Sequence, residues 1–140
     1  MFWDASALVP LAFTEPRSPD VLAIAARHAA VVIWWGTPVE CHAAAHRRHR
    51  ERRMALELKP GLQQLREIMS DATVIQPTDA VRERAQRLVA AHPLRAADAL
   101  QLAAALAWCD EQPGNEAFVC LDVRLRDAAR QEGFAVLPDQ

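Results

Sequence analysis

With 140 residues, 51% of them hydrophobic and 24% charged, the chain has the length and make-up of one globular domain, residues 1–140, able to bury a core. These values exclude a disordered or fibrous chain, and no apolar run reaches the roughly 20 residues of a membrane span. The formal charge of −2 hides an asymmetry, because arginines cluster over residues 47–53.

Phe2 and Trp3 make a very short apolar start, a strand only if the sheet is buried, and residues 4–10 read as its exit loop. Asp4 stands where a signal peptide needs its apolar region, so a cytoplasmic location is expected. Ser18-Pro19-Asp20 opens a helix with proline at its first position, running to about His28. Residues 31–35, β-branched and then aromatic, form a buried strand that Gly36 ends. Thr37-Pro38-Val39-Glu40 reads as a capping box, with Thr37 at the N-cap and Glu40 reaching back to it. The helix it opens ends in the basic run of residues 46–53.

A further helix covers about 61–69, with Leu62, Leu65 and Ile68 or Met69 on one face, and a short strand follows at 73–75. Thr78 and Asp79 open a helix to Ala91, and Pro93 breaks it. Residues 94–108, almost all Ala and Leu, predict a helix packed around most of its circumference. One residue contradicts that apolar setting. Asp98 lies in the first turn, where free backbone N–H groups and the helix dipole favour an anion. The turn at 112–115, a strand at 117–121, a helix at 123–131 stopped by Gly133, and a strand at 135–137 complete the chain. Short buried strands alternating with helices imply an α/β fold, a parallel sheet with helices on both faces.

Such sheets place their sites outside the C-terminal ends of the strands. Asp4 follows the first strand, Glu40 the second and Asp122 the strand at 117–121, while Asp98 opens the helix that leads to that strand. All four acids can therefore share one edge. Carboxylates gathered there would raise one another's pKa unless a hard divalent cation such as Mg²⁺ or Mn²⁺ neutralised them.

The blocks Asp4-x-Ser6-Ala7-Leu8, Pro38-x-Glu40, Arg95-Ala96-x-Asp98-Ala99-x-Gln101-Leu102-Ala103 and Leu121-Asp122-x-Arg124-Leu125 carry a family resemblance. Together they resemble the PIN-domain ribonucleases, and among those the VapC-type toxins of bacterial toxin–antitoxin pairs. The resemblance implies a PIN-like fold, one or two Mg²⁺ or Mn²⁺ ions held by Asp4, Glu40, Asp98 and Asp122, and metal-dependent hydrolysis of RNA. It also implies a VapB-type antitoxin as partner and a homodimer. Ser6 corresponds to a small hydroxyl residue supporting the first acid. Relatives often carry Thr or Ser where this chain has Cys120, a position expected to orient Asp122.

Other features point to the substrate or away from rival chemistry. Arg47, Arg48 and Arg50 are expected to meet RNA phosphates, or else to be cations solvated at a helix end; Arg95 is expected to reach phosphate or pair an acid. His42, His46 and His49 have helical spacing for a metal, but the adjoining arginines would repel a cation. Trp34, Trp35 and Trp108 read as core residues, and Cys41, Cys109 and Cys120 as reduced thiols without zinc-ligand spacing. A receiver domain is excluded because Lys59 is the single lysine, and a dinucleotide-binding domain by the absence of GxGxxG. Two rivals remain: a stand-alone RNA-processing nuclease of the same fold, and a module that binds RNA or a partner without cleaving.

Overall fold

In the computed structural model, residues 1–51 and 58–139 are described. The last residues of the basic run, Arg52 and Arg53, lie outside them. Five strands form one all-parallel sheet: β1 (Phe2–Trp3), β2 (Val32–Trp34), β3 (Thr73–Ile75), β4 (Ala117–Val119) and β5 (Ala135–Leu137), in the order β3-β2-β1-β4-β5. Two- and three-residue strands survive because helices pack on both faces of the sheet and β1 and β2, at and beside its centre, are fully buried. Phe2 pairs with Val32 on one side and Phe118 on the other, so β1 is the centre of the sheet.

Alternation along the strands divides the core in two. Phe2, Val32, Trp34, Phe118 and Val136 face the layer of α5 (Asp79–Ala91), α6 (Ala96–Trp108) and α7 (Val123–Gln131). Trp3, Ile33 and Val119 face the opposite layer of α1 (Ala5–Ala12), α2 (Ser18–Arg27), α3 (Thr37–Arg50) and α4 (Leu58–Ser70). In the first layer the Phe2 and Phe118 rings stack at 5.4 Å, and Phe134 tilts against Phe118 at 5.5 Å. Helix α6 is the spine of that layer, with Ala99 and residues 101–106 all buried. Its small alanines let α5 pack closely along it.

The structure corrects three local expectations. Residues 5–12, expected mainly as an exit loop, form α1, whose N-cap is Asp4. Pro10 removes a helical hydrogen bond, but seven of the eight residues are buried, and that packing holds the helix together. The capping box does not form: α3 begins one residue earlier than expected, with Gly36 at the N-cap, and Glu40 turns toward α6 instead. The Thr37 hydroxyl accepts the Trp34 N–H and bonds Gln101 rather than capping its own helix. Trp35, expected in the core, is 56% exposed, whereas Trp34 is buried. No helix among the described residues is long and apolar enough to cross a membrane.

Candidate active site

The four acids reach the C-terminal edge of the sheet from four separate elements. Asp4 stands between β1 and α1, where its carboxylate accepts the N–H and the hydroxyl of Ser6 and so caps α1. Its own N–H donates to Val119 O at 2.9 Å, which ties the β1 exit to β4. Glu40 projects from the first turn of α3 and Asp98 from the first turn of α6. Asp122 is the N-cap of α7 and accepts the Leu125 N–H at 3.0 Å. All four line one open cleft of about 640 Å³.

Their electrostatics agree with that shared location. Burial pushes Glu40 up to about 7, a hydrogen bond from Gln101 opposes the rise, and the charges of Asp4 and Asp98 add to it. Asp98 is also raised, first by burial and then by Asp122 and Asp4. Asp4, 4% exposed, is raised by burial against the hydrogen bonds it accepts from Ser6 and Cys120. None of the four is in an ion pair among the described residues. The donor set is thus hard oxygen with a surplus of negative charge, which fits a divalent cation such as Mg²⁺ or Mn²⁺. The carboxylates surround an open cleft: among the described residues no three His, Cys, Asp or Glu side chains close into a ligand cage.

Arginines form part of the wall. Arg47 and Arg48 of α3 and Arg95, just before α6, line the same cleft. Arg48 is held by Glu15 at 2.5 Å. Arg50, expected beside them, is exposed and does not line the cleft. His42 hydrogen-bonds Pro38 O at 2.8 Å, and His46 and His49 are exposed, so the three do not assemble as a metal set.

Cys120 behaves differently from expectation. Its sulfur lies 3.6 Å from the Asp4 carboxylate, from the Ser6 hydroxyl and from the backbone oxygen of Asp122. It therefore touches the first acid rather than the carboxylate of Asp122, which is fixed by its helix cap.

Two residues with no role in the sequence reading belong to this site, and a third lies behind it. Gln101, fully buried in α6, donates to Glu40 at 3.2 Å and bonds Thr37. A polar residue one helical turn after Asp98, inside an otherwise apolar helix, was its visible signal. Arg124 joins the cleft wall from the first turn of α7. Arg126 is buried behind that turn, and nothing in its spacing announced it.

No curated protein matches the chain at a significant level. A family model described as PIN domain matches residues 1–131, and PIN domains are typically metal-dependent nucleases. With nearly the whole chain matched and the parallel α/β fold in place, the chain belongs to the PIN-domain family.

Proposed function

We propose that the chain is a divalent-metal-dependent endoribonuclease, the VapC-type toxin of a toxin–antitoxin pair, acting in the cytoplasm to block translation by cutting RNA. The observation that carries the nuclease reading is the convergence of Asp4, Glu40, Asp98 and Asp122 on one cleft, where burial raises the proton affinity of Glu40 and Asp98 and the neighbouring acid charges add to it. These four would hold Mg²⁺ or Mn²⁺, which supplies an activated water and neutralises charge developing on the phosphate. The remaining work falls to the protein's own groups. Gln101 holds the Glu40 carboxylate toward the cleft, Ser6 holds Asp4, and the α7 cap holds Asp122. Arg47, Arg48, Arg95 and Arg124 draw the RNA backbone across the acids, each meeting phosphate as a point of attraction.

The toxin role rests on the motif resemblance, with a VapB-type antitoxin and a homodimer as its implied partners. The test is to purify the chain with and without the product of the adjacent upstream reading frame, then follow cleavage of total RNA in Mg²⁺ and in EDTA. Metal-dependent cleavage that the neighbouring product suppresses is the expected result. Cleavage without suppression favours a stand-alone processing nuclease. RNA binding with no cleavage in either Mg²⁺ or Mn²⁺ favours a non-cleaving module.

A further inference from the structure

Arg126 is a buried guanidinium, 5% exposed, in the second turn of α7. It makes no ion pair with a carboxylate among the described residues. Instead Nη1 donates to Cys120 O at 2.6 Å and Nη2 to Pro138 O at 2.5 Å, the exits of two adjacent strands. A buried charge satisfied only by neutral carbonyls is costly, and an apolar residue of like size would remove that cost. Its position suggests what it does.

The carbonyl of Cys120 and the N–H of Leu121 belong to one peptide unit. That N–H donates to Ser6 Oγ at 2.9 Å, and the same hydroxyl donates to the Asp4 carboxylate. A continuous chain of donors therefore runs from the guanidinium through the peptide and Ser6 to the most buried acid of the cleft. A cation on the carbonyl side polarises the peptide and strengthens donation from its N–H, and each bond in such a chain reinforces the next. The preceding peptide is held as well: Cys120 N donates to Leu137 O at 3.0 Å, which ties Cys120 to the exit of β5.

The geometry points to Arg126 as a positioning residue that sets the Asp4 carboxylate for metal through the Cys120–Leu121 peptide and Ser6. This rests on the proposed metal centre. Its reach is long: the residue touches none of the four acid side chains, and it belongs to an element on the far side of the sheet order from Glu40.

The experiment is a double-mutant cycle on RNA-free protein, with Mn²⁺ binding followed by calorimetry and the Leu121 amide followed by NMR. Arg126→Met and Ser6→Ala should each weaken Mn²⁺ by about 10–100-fold, the range for loss of a group that orients a ligand. Because both act on one path, the double variant should lose less than the product of the two single losses. Arg126→Met should also shift the Leu121 amide proton upfield, the sign of a weaker hydrogen bond. Should Arg126→Met fail to fold, Arg126→Gln serves, since it keeps a polar donor for the carbonyls and removes the charge. Multiplicative losses, or a folded Arg126 variant with native Mn²⁺ affinity, overturn the proposal. If the native protein binds no Mn²⁺, the metal centre fails, and the amide decides: an unmoved Leu121 signal overturns the relay as well.

Discussion

Glu40→Gln offers a test of the cleft's charge that needs no substrate. The native carboxylate is raised from its usual 4.5 to about 7, chiefly by burial. A group that binds its proton more tightly when folded adds stability below its unfolded pKa and loses that contribution as pH rises through the folded value. In metal-free protein, stability should therefore fall between pH 4.5 and 7. At 1.36 kcal/mol per unit the ceiling is about 3 kcal/mol, and solvent reaching the half-buried side chain reduces it to roughly 1–2 kcal/mol. Glutamine keeps the shape and can still accept from Gln101 Nε2, so packing is conserved and only the charge is removed. In EDTA the variant should melt roughly 3–8 °C above native at pH 8, with the gap closing by pH 4.5. Added Mn²⁺ should reverse the order, because native protein gains ligand-binding free energy that the variant loses. A gap of equal size at pH 5 and pH 8, or a variant less stable than native at pH 8 in EDTA, would refute the reasoning.

Asp98→Asn should lower metal-dependent RNA cleavage by more than about 100-fold, beyond the loss of an orienting group, while metal-free melting stays level or rises. Cleavage and melting measured on one preparation check it, and retained activity would remove Asp98 from the site. Arg47→Gln should reduce the salt slope of RNA binding by about 0.7, the share of one phosphate contact on a single strand, and Arg50→Gln should leave the slope unchanged. Fluorescence anisotropy across a salt series separates the two. Gly61→Ala should cost about 1–3 kcal/mol in urea unfolding, because its Cβ would stand 2.1 Å from the Phe13 ring, which is itself buried between α1 and α4.

The local sequence was enough for the architecture and for most of the acids' placement. Continuous apolar triplets separated by helices leave a parallel sheet as the arrangement that buries both faces, and the order of elements follows. Asp98 was legible because a charge in an Ala/Leu helix has no apolar explanation. Thr78 and Gly133 were legible because caps and stops depend on a few neighbouring residues; Thr78 caps α5, and Gly133 takes φ 103°.

What escaped the sequence depends on residues far apart in the chain. Thr37 and Glu40 satisfy every local rule of a capping box, yet Gln101, 61 residues beyond Glu40, supplies partners that local geometry cannot weigh. Residues 5–12 hold a proline that argues against a helix, and burial between layers overrides it. Arg50 and Arg47 look alike as members of a basic run, and only the packed structure shows that Arg47 meets the cleft and Arg50 does not. Cys120 and Ser6, 114 residues apart, meet because β1 and β4 are neighbours, so the thiol's partner is Asp4 and not the acid two residues along. Propensity and pattern act over a few residues and determine the elements. Which polar groups satisfy one another inside a packed core is decided only when strands from opposite ends of the chain lie side by side.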